Sequence, residues 1–447
     1  MNIPNGVKNI LNILNANGER AYIVGGAVRN SIMGRTVNDY DVTTSALPEK
    51  IEEIFSDFTT VSVGKSFGTV IVYVEDTAVE VTTHRKESGY SDGRHPDGVL
   101  YTESIYEDLA RRDFTMNAIA YSESSGYIDP FGGISDIKRR TVRCVGNAEE
   151  RFNEDRLRVL RAIRFSSELG FELHEDTAKA VHAYANRLDG LSKERIFSEL
   201  CRLLCGENVK QALTEYSDVI ISAIPALERI YKYDQGNPYH IFDLYEHTVN
   251  CVSYTEPALH LRLAALFHDI GKPLCKSTDS EGISHFKGHP AVSEAISYSV
   301  LKGLRLPTKL CQTVCTLIKY HDERLTADSV RIKRLMSKIG VDMFFDLLKL
   351  KKADILSQNP KFYSRLDSLN DVSRQANEII KTGTALNVKD LKINGNDIVS
   401  LGVKPGKKVG EILNALLEGV VSNKLYNDKE MLIEKAEEII RKGNENE

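Results

Sequence analysis

Hydrophobic periodicity switches once along this chain, and that switch limits the architectures open to it. Up to about residue 140, short segments alternate apolar and polar residues at period two. Residues 39–44 (DYDVTT), 69–75 (TVIVYVE) and 78–84 (AVEVTTH), rich in Val, Ile, Thr and Tyr, read as strands. Residues 21–24 (AYIV) form another short apolar strand, which ends at Gly25-Gly26 with a helix following from Ala27. Residues 117–131 read as a hairpin, and 86–98, with three Gly and one Pro, as a loop. From Asn153 helical spacing takes over (Leu157, Leu160, Ile163) and runs to Lys442 with short breaks at Gly170, Gly190, Gly206, Asn237-Pro238, Gly282, Pro307 and Gly383. A β-containing head followed by a long helical remainder predicts an α+β fold joined to helical domains.

With 447 residues, 42% hydrophobic and 27% charged, the chain can bury several cores, which excludes a wholly disordered or collagen-like protein. No apolar run approaches the roughly 20 residues a membrane helix needs. The N-terminus lacks a basic segment followed by a continuous apolar one, so no secretory signal and a cytoplasmic location are expected. Seven scattered cysteines, none in CxxC, fit a reduced protein. The net charge of −5 counts against a nucleic-acid partner. Residues 137–164, however, hold nine Lys/Arg against four acids, a local surplus that predicts a phosphate-attracting patch.

Asp39 and Asp41 are two apart on a predicted strand, so alternation places both carboxylates on one face. Such a pair shares a proton or a cation, and an all-oxygen ligand set suits Mg²⁺. Upstream, Gly25-Gly26 at a strand-to-helix junction lets backbone N–H groups approach an anion, with Arg29 in the first turn. Cradle, basic side chain and dyad together suggest nucleoside triphosphate chemistry. Glu80, at matching alternation on a later strand, is a candidate third carboxylate.

Five ordered segments carry a resemblance. They are Gly25-Gly26-Ala27-Val28-Arg29, Asn38-Asp39-Tyr40-Asp41, Arg111-Arg112-Asp113-Phe114-Thr115-Met116-Asn117-Ala118, Asp129-Pro130-Phe131-Gly132-Gly133 and Glu154-Asp155-Arg156-Leu157-Arg158-Val159-Leu160-Arg161. Together they resemble the motifs of class II tRNA nucleotidyltransferases, the CCA-adding enzymes and related bacterial poly(A) polymerases. Ser192-Lys193-Glu194-Arg195-Ile196 is similar to the last neck motif of that family, whereas Asn30 stands where the family usually has an acid. The resemblance implies a polymerase-β-like nucleotidyltransferase palm in which Asp39 and Asp41 hold two metal ions. It also implies that Arg111, Asp113, Asn117 and Arg161 contact the nucleotide. The implied organisation is a head at 1–140, a base-recognising neck at 141–225, a helical body at 226–375 and a tRNA-binding tail at 376–447.

In the neck, Asp155 and Arg158 are three apart on a predicted helix and can meet one planar ligand. A carboxylate only accepts and a guanidinium only donates hydrogen bonds. Cytosine and adenine both present an amino donor beside a ring-nitrogen acceptor, which matches this pair; guanine and uracil present the reverse. The resemblance points to the same pair, with Glu154 as support. Asp92 and Arg94, within the 86–98 loop, resemble the family's flexible loop, which serves the switch from C to A addition.

Seven of the eleven histidines fall between 240 and 321. His247, His268-Asp269 and Asp354, in this order, resemble the ligands of HD-domain phosphohydrolases; His289 and His321 match extra histidines seen in many of them. Mixed imidazole and carboxylate ligation suits one transition metal such as Mn, Ni, Fe or Zn. In the tail, Lys404, Lys407 and Lys408 beside Gly402, Pro405-Gly406 and Gly410 suggest a tRNA contact. The chain thus reads as a CCA-adding enzyme using tRNA, CTP and ATP, with no membrane partner and the oligomeric state open. The alternatives are a poly(A) or A-adding enzyme of the same family, an HD phosphohydrolase with an RNA-binding head, and a non-catalytic tRNA-binding protein.

Overall fold

The short apolar strand forms where the sequence places it. β1 (Ala21–Val24) buries Ala21, Ile23 and Val24 and stops at Gly25, whose φ of +71° strongly favours glycine. The helix Gly26–Ile32 begins there. The structure, a computed structural model, describes residues 1–64, 68–75, 77–88 and 98–444. It divides into two compact units, Met1–Pro225 and Ala226–Glu447.

The first unit contains β2 (Asp41–Thr44), β3 (Thr59–Gly64), β4 (Thr69–Val74), β5 (Thr77–Thr83), β6 (Arg85–Ser88), β7 (Gly98–Tyr101), β8 (Ala120–Ser122) and β9 (Gly126–Ile128). Seven of these strands make one sheet in the order β3-β4-β5-β2-β1-β8-β9. The β2–β5 pair is parallel and its neighbours are antiparallel, giving the mixed sheet of an α+β head. The hairpin read at 117–131 is β8–β9.

Three local expectations are corrected. The strand read from Asp39 begins at Asp41. β1 pairs Val24 with Asp41, and the next β1-side residue, Gly25, has already turned away, so Asp39 has no ladder partner there. The loop read at 86–98 starts and ends in strand, because β6 and β7 pair from Arg85↔Tyr101 to Ser88↔Gly98. The helix read as continuous through Asp155 breaks there: Ala148–Glu154 and Leu157–Leu169 are separate helices. Asp155 is extended (φ −140°, ψ 106°), and its Oδ1 accepts the Leu157 N–H at 3.0 Å. Aspartate competes well for such capping positions, and here capping wins over helix continuation.

The second unit is helical. Helices Leu244–Tyr254, Leu259–Phe267, His289–Gly303, Thr308–Tyr320 and Val341–Leu356 surround the histidine cluster. Helices Ser329–Ile339 and Arg365–Lys381 join Val341–Leu356 around a core of Ile332, Met336, Phe344, Val372 and Ala376. The C-terminal helices Lys407–Val421 and Lys429–Asn444 pack around Leu416, Val420, Leu432 and Ala436. No described helix is long and apolar enough to cross a membrane.

Candidate functional site

Strand register builds the head site. Val24 pairs with Asp41, and Asp41 pairs with Glu80 across the parallel β2–β5 ladder, so these positions form one row on one face. Asp39 is exposed just before β2, near enough to add repulsion at Asp41. Burial first, then the Asp39 charge, pushes the Asp41 carboxyl from 3.8 up to about 6; Arg112 opposes this and Glu80 adds to it. A partly buried carboxylate beside two further acids is a site that a proton or a cation neutralises. The donor set fits a divalent cation that prefers oxygen. A Cβ at Gly25 would lie 3.2 Å from Arg112 Nη1 and 3.7 Å from Asp41 Oδ2, so the glycine lets this cation and carboxylate close on the turn.

The pKa has a measurable consequence. Between about pH 4 and 6 the folded head binds a proton at Asp41 more tightly than the unfolded chain does. The metal-free head therefore loses stability as pH rises through 6. Protons and a divalent ion compete for the same oxygens. Mg²⁺ affinity at the head is expected to be roughly tenfold weaker at about pH 5 than at about pH 7.5. Calorimetric titration at the two pH values measures it; equal affinities would contradict the shifted carboxyl.

A polar relay runs from the Gly25-Gly26 helix into the neck. Arg29, buried and lowered by that burial to about 10, stays protonated near neutrality and donates from Nη1 to Asn117 Oδ1 at 2.7 Å. Asn117 Nδ2 donates to Asp113 Oδ1 at 3.1 Å, and Arg161 binds Asp113 Oδ2 at 2.5 Å. Desolvation would raise Asp113, but Arg161 and the hydrogen bond from Asn117 hold it far below the usual carboxylate range. Arg164 binds Glu199 at 2.8 Å and Glu168 at 2.8 Å, and Arg202 reaches Glu168 at 2.7 Å. Arg111 binds the fully buried Asp108 at 2.7 Å and Arg112 binds it at 3.2 Å. Against its desolvation, the two hold Asp108 at about 2.

Asp155 and Arg158, expected to read the base, lie on either side of the helix break rather than on one helix. Asp155 Oδ2 accepts from Arg195 Nη2 at 2.8 Å. Arg158 Nη1 binds Glu154 Oε2 at 2.5 Å, and Nη2 donates to the Arg111 carbonyl at 3.0 Å. The predicted basic patch is largely neutralised. Arg151 and Arg158 meet Glu154, Arg143 meets Asp136, and Arg161 and Arg164 meet Asp113, Glu199 and Glu168. Four of these acids lie outside 137–164, so a local count could not include them. Lys138 and Arg139 remain exposed.

In the body, the four predicted residues and both extra histidines converge. His247 Nε2 lies 3.3 Å from His268 Nε2, 3.3 Å from Asp269 Oδ2 and 3.3 Å from Asp354 Oδ1. His289 Nε2 lies 3.0 Å from His321 Nε2. Each ring is held from behind at Nδ1: His268 by the Ala265 carbonyl, His289 by Phe286, His321 by Ile318, and His247 by Ser357. An Nδ1–H committed to a carbonyl leaves Nε2 as a lone pair, the arrangement that orients imidazole ligands. Burial would lower His247, yet hydrogen bonds with Asp269 and Asp354 push it up to about 8, whereas at His321 burial prevails and lowers it. Gly271 lets helix His289–Gly303 approach closely after Asp269: a Cβ there would lie 2.6 Å from the Ser293 nitrogen.

Lys404, Lys407 and Lys408 are exposed at the start of helix Lys407–Val421, with Lys407 3.3 Å from Glu411. Asp92 and Arg94 lie outside the described residues. Sequence reading missed Asp108, Arg112, Arg195 and Glu199 as site-builders. The adjacent Arg111-Arg112-Asp113 run was a signal for Arg112; Asp108 and Glu199 had none, since only tertiary pairing reveals them.

Comparisons with known proteins bear on the family of the chain. Residues 21–143 match the family described as Poly A polymerase head domain. Residues 170–219 match the probable RNA and SrmB-binding site of polymerase A, and 278–436 the putative tRNA nucleotidyltransferase domain 2. A CCA-adding enzyme of Ligilactobacillus salivarius is 34% identical, with 98% of each chain covered. One from Bacillus subtilis is 35% identical, covering 95% of this chain and 96% of the relative. The crystal structure of the Bacillus stearothermophilus CCA-adding enzyme in complex with CTP is 29% identical with a TM-score of 0.72, covering 99% of this chain and 98% of that one. By whole-length identity to these relatives, the chain belongs to the CCA-adding enzyme family of tRNA nucleotidyltransferases.

Proposed function

We propose that this protein adds C, C and A to the 3′ end of tRNA from CTP and ATP, without a nucleic-acid template. The observation that carries the reading is the row Asp41–Glu80, with Asp39 before it and Arg112 at the Gly25 turn. Asp39 and Asp41, with Glu80 beside them, would hold Mg²⁺, which when bound supplies activation of the tRNA 3′-hydroxyl and neutralisation of triphosphate charge. Gly25, Gly26 and Arg29 shape the phosphate side of the site. Arg111, Asp113, Asn117 and Arg161 form the support under the nucleotide, because Asp113, Asn117 and Arg161 bind one another and Arg111 binds Asp108.

Asp155 and Arg158 read the base edge. Both are held by protein partners, Arg195 and Glu154, so the acceptor and donor are fixed before a nucleotide arrives. A fixed edge rejects a base whose donors and acceptors are reversed, because the mismatch leaves buried groups unpaired. Asp92 and Arg94 complete the C-to-A switch, and Lys404, Lys407 and Lys408 contact tRNA phosphates. In the body, His247, His268, Asp269 and Asp354 would hold a transition metal, since imidazole-rich ligation favours such ions over Mg²⁺. The test is tRNA lacking its 3′ CCA, offered CTP and ATP: restoration of the end supports the reading, and no extension contradicts it.

A further inference from the structure

One buried carboxylate in the head carries two arginines. Asp108, on the helix Ile105–Ala110, is fully buried, and it meets Arg111 and Arg112 where that helix ends. Residues three and four positions along a helix lie over the same face, so both can reach it. The two carboxylate oxygens are divided between them. Oδ1 accepts from Arg111 Nε at 3.0 Å and from Arg111 Nη2 at 2.7 Å, and the Arg85 backbone N–H at the start of β6 approaches the same oxygen at 3.4 Å. Oδ2 accepts from Arg112 Nη2 at 3.2 Å.

Neutralising Asp108 needs only one guanidinium. The second adds a cation to a largely buried place, where charge without a counterpart is costly. That surplus faces the head site. A Cβ on Gly25 would stand 3.2 Å from Arg112 Nη1 and 3.7 Å from Asp41 Oδ2, so cation and carboxylate flank the same turn. Arg112 Nε is buried and has no hydrogen-bond partner among the described residues. A buried donor left unpaired by the protein calls for a partner from outside it. Asp108 thus takes Nη2, while Nη1 stands at the turn beside Asp41.

We propose that Asp108 is a positioning residue for nucleotide addition: its Oδ2 holds Arg112 against the Gly25 turn, aimed at the triphosphate, while the Arg111 clamp on Oδ1 keeps Oδ2 facing that way. This rests on reading the head as the nucleotide site. The base side is carried separately, because Arg158 Nη2 donates to the backbone carbonyl of Arg111, which a change in the Asp108 side chain does not remove. Asp108 therefore acts on the phosphates and not on the choice of base.

Asp108→Asn keeps the shape and removes the charge. Its amide oxygen can serve the Arg111 fork, and its NH₂ then faces Arg112, donor against donor. In the full chain with Mg²⁺, calorimetric titration should show affinity for CTP and for ATP each falling about tenfold or more, the scale of a lost hydrogen bond to a charged group. GTP and UTP should stay as poorly bound relative to CTP as in the parent. Unequal losses for CTP and ATP, or an altered base preference, overturn the phosphate-side assignment. Arg112→Ala should reproduce the loss, and adding Asp108→Asn to it should cost nothing further; a full additional loss overturns action through Arg112. Unchanged CTP and ATP affinity in Asp108→Asn overturns the inference and leaves the nucleotide site standing, whereas a parent that binds neither nucleotide overturns both. Circular dichroism checks the fold. If Asp108→Asn unfolds, Asp108→Asn/Arg111→Gln, which drops one charge of each sign, is compared with Arg111→Gln alone: a further loss of CTP affinity supports the role, and equal affinities overturn it.

Discussion

Asp41→Ala is expected to abolish nucleotide addition, to below a few per cent of the parent rate, while tRNA binding stays nearly unchanged. Asp41 sits at the centre of the row defined by Val24 and Glu80, its carboxyl partly withdrawn from water. Removing it takes away a ligand for ions whose charge matters most in the transition state, so the loss falls on the chemical step. Folding should survive. The charged Asp41 is disfavoured by burial and by Asp39, so alanine relieves repulsion rather than creating an unpaired group. Single-turnover extension beside a tRNA-binding titration separates the two effects, and substantial residual addition would sink the dyad.

Arg158→Ala should cost at least a hundredfold in C and A addition and erode discrimination against G and U. A buried edge built to hydrogen-bond its ligand can discriminate by about 10⁴ or more, and on the proposed reading the Arg158 fork contributes to that margin. Arg158 is only 9% exposed and also ties Glu154 to the Arg111 carbonyl, so some loss of stability accompanies the change. Arg158→Lys separates the roles: it keeps the charge but not the planar fork, so selectivity should fall while the fold holds. Unchanged preference in both variants, with all four nucleotides assayed singly, would reduce Arg158 to a structural ion-pair partner.

Much of the head was legible because its signals are local. Alternation in 69–84 gave β4 and β5, and Gly25-Gly26 marked the end of β1, where Val24 pairs with Asp41; the β2–β5 register aligns Asp41 with Glu80. Most of the failures involve partners outside a short sequence window. Asp39 lost its strand because Gly25 turned away, and Asp155 left the helix to cap Leu157 and meet Arg195. The basic count at 137–164 misled because Asp113, Asp136, Glu168 and Glu199 come from other elements. In the body, residue order predicted four converging side chains. The division into two groups, His247, His268 and Asp354 in one and Asp269, His289 and His321 in the other, needed the placement of His289 at the start of one helix and His321 just past the end of another.

The central claim is addition of a defined C-C-A end directed by protein side chains. It is tested most directly by incubating the full chain with Mg²⁺, all four nucleoside triphosphates together and a tRNA stripped of its 3′ CCA, then sequencing the product ends. The account predicts ends of C, C and A followed by arrest, with G and U essentially absent. Runs of A without preceding C, mixed ends containing G or U, or unextended tRNA would contradict it.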